Sequence, residues 1–89
     1  MKKVTLDKEN VRAYVMLQTT CNSERQALKL LHEQPGVVLV DEVEGPFDVI
    51  FAIQAADREK LADSMLRVIS TVEPVTLDFQ LIPSKLRND

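Results

Sequence analysis

The tripeptide Glu44-Gly45-Pro46 most constrains the fold, because it forms a short break between two apolar runs. Val37 to Val43 precedes the break and is rich in valine, and Phe47 to Ala55 follows it with apolar residues at alternate positions. Glycine and proline favour turns, and a period of two is typical of strands. Two strands joined by so short a connection pair antiparallel. The sequence therefore predicts a β-hairpin near the middle of the chain.

A strand pattern and a helix pattern lie on each side of this hairpin. Val11 to Thr19 alternates like a strand, and Ser23 to Gln34 places apolar residues at helical spacing. After the hairpin, Asp57 to Glu73 carries an apolar helical stripe and Val75 to Ile82 alternates again. The order β-α-β-β-α-β, with right-handed crossovers, predicts an α+β ferredoxin-like fold. This fold has a four-stranded antiparallel sheet with two helices on one face, the subunit of a dimeric α/β barrel.

Two residues occupy the positions of helix N-caps. Ser23 precedes the first helix and is followed three residues later by Gln26, which is the spacing of a capping box. Asp57 precedes the second helix, and aspartate is a favoured N-cap residue. The sequence therefore predicts a side-chain cap at the start of each helix.

Length and charge exclude several classes of protein. The chain has 89 residues and a net charge of −3, and its Lys and Arg residues are interleaved with acids, which does not favour direct binding to nucleic acid. Residues 1–10 and 84–89 are predicted tails around one domain at 11–83. Cys21 is the single cysteine, so no internal disulfide is possible. With no transmembrane or signal-peptide pattern, we expect a cytoplasmic protein without membrane contact.

The face of the sheet that the helices leave bare is the informative one. If the odd-numbered residues of strands one, three and four face the helices, the bare face is partly apolar. Its predicted apolar residues are Tyr14, Met16, Ile50, Ala52 and Ile82, and its predicted polar residues are Gln18, Asp48, Thr76, Asp78 and Gln80. Apolar surface of this extent is commonly covered by another subunit. We therefore expect a homodimer with room for a small polar ligand.

The segment from Asp41 to Ile50 resembles one known family. Its residues Gly45, Pro46, Phe47 and Asp48 match the Gly-x-aromatic-Asp segment of the Lrp/AsnC effector-binding domain, also called the RAM domain. The resemblance covers Val11 to Pro83. Family members usually carry a helix-turn-helix half, and only ten residues precede the first predicted strand. The chain therefore resembles the stand-alone type.

The resemblance implies a non-catalytic regulatory domain of the Lrp/AsnC type. Family effector domains pair through their sheets, assemble into rings that are often octamers, and bind amino acids between dimers near this loop. The implied partners are an amino acid, further copies of the chain and a full-length family regulator, with no cofactor and no metal. The residues predicted to contact the ligand are Gly45, Pro46, Phe47, Asp48, Asp78 and Gln80.

The chain also departs from the family pattern. Glu73 and Pro74 stand where the family often has a Gly-Val step before its last strand, and Asp78 places an acid in that strand. Phe47 replaces the more usual tyrosine, which removes one hydroxyl group. The ligand type is therefore left open by the resemblance.

Other interpretations remain open at this point. Gly45 can serve only the turn, Asp48 can fix the turn by a hydrogen bond, and Asp78 and Gln80 can be solvated strand residues. The same architecture also serves small monooxygenases and isomerases, so an enzyme is the alternative function. His32 is the single histidine and no paired carboxylates have acid-base spacing, which argues against catalysis. A purely structural oligomerisation domain is a third possibility.

Overall fold

A computed structural model describes residues 10–83 of the chain, so all but one residue of the predicted tails lies outside it. The elements are β1 (Val11–Thr19), α1 (Glu24–His32), β2 (Val37–Glu42), β3 (Val49–Ala55), α2 (Arg58–Val72) and β4 (Thr76–Pro83). A short 3-10 turn at Glu73–Val75 joins α2 to β4. The sheet has the order β2-β3-β1-β4, and every neighbouring pair is antiparallel. The predicted ferredoxin-like fold is confirmed.

The core lies between the sheet and the two helices. Odd-numbered residues of β1 and β3 point into it, because successive strand residues face opposite sides. The helices contribute one face each, with Leu31 buried from α1 and Val68 from α2. The buried cluster comprises Val15, Leu17, Ala27, Leu31, Val49, Phe51, Ile53, Val68, Val72 and Val75. Both helices therefore pack on one side and leave the other side of the sheet bare within the chain.

The start of β4 differs from the predicted alternation. The pairing of β4 with β1 shifts at Gln18 and Thr19, so that Leu77 is an extra residue in the ladder. Thr76 consequently pairs with buried Thr19 on the helix side, and its hydroxyl donates to the Val72 carbonyl at 2.7 Å. The placement of Thr76 on the bare face was therefore wrong, because a bulge reverses the facing of the residues before it.

Both helices are preceded by residues of N-cap type, but only one of the two side chains accepts a hydrogen bond from a backbone N–H of the first turn. Asp57 Oδ1 accepts a hydrogen bond from the Lys60 backbone N–H at 2.8 Å. Ser23 makes no side-chain cap bond. Its hydroxyl oxygen instead accepts from the Thr20 hydroxyl at 2.6 Å. The capping-box prediction at Ser23 was wrong, since the neighbouring hydroxyl in the β1–α1 connection engages the side chain.

This difference between the caps predicts unequal costs of truncation. We expect Asp57→Ala to lower the free energy of unfolding by about 1 kcal/mol, because one N–H at the start of α2 loses its acceptor. We expect Ser23→Ala to cost less than half of that, because no cap bond is lost. Urea denaturation of both variants at one protein concentration measures the two values. Equal losses would contradict the assignment.

Candidate functional site

The loop between β2 and β3 holds four of the six predicted ligand-contacting residues. It lies at the end of the sheet where β1 finishes, because Val49 at the start of β3 pairs with Leu17. The Val43 N–H donates to the Asp48 carbonyl at 2.8 Å, and the Asp48 N–H donates to the Leu17 carbonyl at 2.7 Å. These bonds hold both ends of the loop against the sheet. Phe47 precedes the observed strand, so β3 begins two residues later than predicted.

Asp48 fastens this loop to the end of β1. Its Oδ2 accepts from the Thr19 backbone N–H and from the Thr19 hydroxyl, each at 2.9 Å. Thr19 is the one buried polar residue in the part of the chain that the structure describes, so these two donors have little access to water. The second carboxylate oxygen, Oδ1, receives no hydrogen bond from residues 10–83. Asp48 therefore has a structural role and still presents one acceptor oxygen.

Gly45 gives the loop its shape and its openness. Its φ is +120°, a conformation that side-chain-bearing residues rarely adopt. No atom lies within 4 Å of the position that a β-carbon would occupy, so the space beside it is open. Gly45 and Pro46 are exposed, and Phe47 is half-buried. Within the described part of the chain, no acceptor is bonded to the backbone N–H of Gly45 or Phe47. The loop therefore contains two backbone N–H groups without an acceptor among the described residues.

Asp78 and Gln80 lie on β4, at the bare face and on the other side of β1 from the loop. Asp78 pairs with Gln18, Gln80 pairs with Met16, and both are exposed. Two strand spacings separate β3 from β4, so Asp78 and Asp48 stand about 10 Å apart across the sheet. The six predicted residues share one end of the sheet, but they do not form one contiguous cluster.

The bare face has an apolar centre between polar ends. One row across the four strands runs Leu39, Ala52, Tyr14 and Ile82, and the next contains Ile50 and Met16. Ala52 is fully buried although it lies on this face, because the larger Leu39 and Tyr14 flank its short side chain. The predicted apolar residues of this face are thus all adjacent, and Leu39 joins them from β2.

A polar cluster at the opposite end of this face was not predicted. The Arg12 guanidinium donates to Gln54 Oε1 at 2.7 and 3.1 Å. It also donates to the Tyr14 hydroxyl at 3.3 Å. The sequence could have indicated part of this cluster, because Arg12 and Tyr14 are two residues apart in β1 and therefore lie on the same face of the sheet. The cluster orients Tyr14 on the bare face.

The residues considered for catalysis or metal binding stand apart from this face. His32 is exposed in the last turn of α1, and Cys21 is exposed in the β1–α1 connection. Across residues 10–83, no three His, Cys, Asp or Glu side chains group closely enough to hold a metal ion. In the same region, no helix is long and apolar enough to cross a membrane.

Solved structures with this arrangement of strands and helices include proteins of the predicted type. The chain superposes on an AsnC family transcriptional regulator from Agrobacterium tumefaciens with a TM-score of 0.77 and 16% identity, covering 100% of this chain and 59% of that one. The chain has the fold of the Lrp/AsnC-type domain. Because the match spans under two thirds of the regulator, the remainder of that protein has no counterpart in the superposition.

Two smaller proteins match this Lrp/AsnC-type domain over nearly their whole length. FFRP-DM1 has a TM-score of 0.76 and 20% identity, covering 84% of this chain and 99% of its own. TTHA0845 from Thermus thermophilus has a TM-score of 0.76 and 22% identity, covering 89% of this chain and 98% of its own. No protein-family model and no curated protein matches the sequence. The similarity of this chain to Lrp/AsnC-type proteins is therefore a similarity of fold.

Proposed function

We propose that this chain is a non-catalytic, effector-binding regulatory domain of the Lrp/AsnC type. It binds an amino acid at the Gly45–Asp48 loop, pairs with a second copy through the bare face, and acts through its assembly or through a full-length regulator of the same type. The observation that carries the proposal is the open loop at Gly45, on a fold shared with an AsnC family regulator. Likeness to a regulator favours binding over catalysis.

The chemistry of the loop suits the two charged groups of an amino acid. The amide N–H groups of Gly45 and Phe47 are free donors that could bind a carboxylate, one on each side of Pro46, which has no N–H. Asp48 Oδ1 and the exposed Asp78 carboxylate are acceptors for an ammonium group. Since Asp48 lies in the loop and Asp78 lies on β4, Asp48 serves a ligand held by one chain, and Asp78 serves a ligand held where a second copy covers the sheet.

The amino acid is tested by thermal denaturation in the presence of each of the twenty standard amino acids. A ligand that binds only the folded state, at ten times its Kd, adds about 1.4 kcal/mol of stability. In a domain of this size that raises Tm by about 6–11 °C. We expect one or a few amino acids to do so, and their N-acetylated and amidated forms to fail. No shift with any of the twenty would refute amino-acid binding.

Gly45→Ala provides a test of the site itself. The substitution forces an alanine into φ +120°, although the space for its methyl group is open. We expect the loop to relax and the ligand-induced Tm shift to fall by more than half. Glu44→Ala is the matched control, because Glu44 is an exposed neighbour in the same loop with unrestricted backbone. Equal shifts in both variants would place the ligand elsewhere.

A further inference from the structure

The Arg12 cluster, formed by Arg12, Tyr14 and Gln54 at one end of the bare face, contains more donors than acceptors. The Nε and Nη2 groups of Arg12 share a single acceptor, Gln54 Oε1, at 3.1 and 2.7 Å. The Nη1 group donates to the Tyr14 hydroxyl at 3.3 Å. A guanidinium has five N–H donors, and these three bonds leave one on Nη1 and one on Nη2 without an acceptor among residues 10–83.

The two partners of the guanidinium add donors to the cluster. The Tyr14 hydroxyl accepts from Arg12, so its own hydrogen is still available. Gln54 uses its oxygen for Arg12 and keeps the two N–H donors of its amide. Over the described part of the chain, no acceptor engages either side chain. Donors of three kinds therefore surround one guanidinium, which is the chemistry of a site for an anion.

The positive charge of Arg12 is not neutralised within the described residues. Its hydrogen bonds run to an amide and a phenol, both uncharged, and to no carboxylate of residues 10–83. The bare-face acids Asp41 and Asp78 lie about 13 Å or more along the strands from the row of Arg12. Arg12 is half-buried, so solvent screens its charge less than that of a fully exposed side chain. The cluster therefore attracts a negative group.

An apolar row lies beside the cluster. Tyr14 pairs with Ala52 on one side and with Ile82 on the other, and Leu39 pairs with Ala52 from β2. Leu39 is 42% exposed and Ile82 is 38% exposed, so both offer apolar surface to a ligand. The row is two residues along β1 from Arg12, a distance of about 7 Å. A small molecule with a charged head at Arg12 can therefore place a short apolar body on this row.

We propose that the Arg12 cluster is a second ligand site, which binds the carboxylate of a small monocarboxylic acid with an apolar body. The planar guanidinium presents its donors in a geometry that matches the two oxygens of a carboxylate, and the Tyr14 hydroxyl donates to one of them. The apolar body lies against Tyr14 and Ile82. One positive charge balances a monoanion, whereas a phosphate monoester carries about −1.5 to −2 at neutral pH.

The Arg12 cluster selects a different ligand from the Gly45–Asp48 loop. The loop has a carboxylate that suits an ammonium group, whereas no acid belongs to the cluster. An ammonium group beside the bound carboxylate would be repelled by the guanidinium. The site therefore favours a carboxylic acid without an amino group. It lies one row away from Met16 and Ile50, so it depends neither on the loop ligand nor on pairing through the centre of the face.

The fluorescence of Tyr14 reports on this site alone, because the chain has one tyrosine and no tryptophan. It is titrated with acetate, butyrate and hexanoate at constant ionic strength, and with hexanol and norleucine for comparison. We expect saturable binding of hexanoate, and an affinity that rises about fourfold for each methylene that becomes buried. Hexanol and norleucine should bind at least about tenfold more weakly. No binding of hexanoate, or equal binding of hexanol, would overturn the proposal.

Arginine variants locate the binding. We expect Arg12→Gln to weaken hexanoate binding at least about tenfold, because the charge-assisted hydrogen bonds are lost. Arg12→Lys keeps the charge without the planar group and should recover only part of the affinity. The matched control is Arg67→Gln, since Arg67 is exposed on α2 and donates to Ser64 Oγ at 3.4 Å. Equal affinities of Arg12→Gln and Arg67→Gln would remove Arg12 from the site.

Two further variants keep the test independent of the folding of the Arg12 variants and of the amino-acid site. Ile82→Ala shortens the apolar row, so it should weaken hexanoate several-fold and leave acetate unchanged. Gly45→Ala alters the loop at the other end of the sheet and should bind hexanoate like the unmodified chain. Equal losses for acetate and hexanoate in Ile82→Ala, or loss of hexanoate binding in Gly45→Ala, would contradict the placement of the ligand.

Discussion

Replacing Asp48 with alanine is expected to lower the free energy of unfolding by about 2–4 kcal/mol. The substitution removes the acceptor of two hydrogen bonds, from the backbone N–H and the hydroxyl of Thr19. Thr19 is buried, so both donors would be left without a protein partner, and each unsatisfied buried group costs about 1–3 kcal/mol. Urea denaturation at fixed protein concentration measures the loss.

Two controls separate this effect from a general cost of removing an acid. Asp41→Ala removes a carboxylate that accepts only from the exposed Glu42 N–H at 2.9 Å, so its cost should stay below about 0.5 kcal/mol. Asp48→Asn retains one oxygen acceptor and should cost less than half as much as alanine. If Asp48→Ala and Asp41→Ala were equally stable, the loop would not depend on the contact with Thr19.

Met16→Glu is expected to weaken pairing through the bare face at least 100-fold. Met16 is half-buried at the apolar centre of this face, on a central strand between Ile50 and Gln80. A carboxylate there would be taken out of water without a partner when a second copy covers the sheet. A 100-fold change corresponds to about 2.7 kcal/mol of association free energy. Sedimentation equilibrium over a concentration series measures it.

The matched control is Met16→Leu, which keeps an apolar side chain of similar volume and should retain the pairing. Because the side chain faces away from the core, circular dichroism of Met16→Glu should show an unchanged fold. If Met16→Glu assembled like the unmodified chain, the bare face would not be the pairing surface.

Local patterns predicted most of the fold correctly. The alternation in β1 and the turn at Gly45 depend only on residues that are neighbours in the chain, so both can be predicted from one sequence. The Asp57 cap is likewise local, since its partner Lys60 lies three residues away. Alternation also assigned Phe79 and Leu81 to the helix side. It could not show that these two side chains would stay 44% and 41% exposed, because strand periodicity contains no information about where a helix is placed over a sheet.

The contacts that shape the candidate site are long-range, and for that reason the sequence did not reveal them. Asp48 and Thr19 are 29 residues apart, and Arg12 and Gln54 are 42 apart. Each pair depends on which strands become neighbours and in which register. The bulge at Leu77 is a further example, since it depends on the pairing of β4 with β1 and moved Thr76 to the other face. The Gly45 loop was found because glycine and proline between two apolar runs are typical of a turn, which is a local property of the sequence.

The bond between Asp48 and Thr19 also joins distant parts of the molecule mechanically. The residue after Thr19 continues the connection, because the Thr20 N–H donates to the Val75 carbonyl at 2.9 Å, immediately before β4. Hydrogen bonds thus connect the Gly45–Asp48 loop to the end of β1, and the residue after β1 to the start of β4. A ligand that displaces the Gly45 loop while these hydrogen bonds persist would also displace the start of β4. Binding at the loop would therefore change the position of the edge strand.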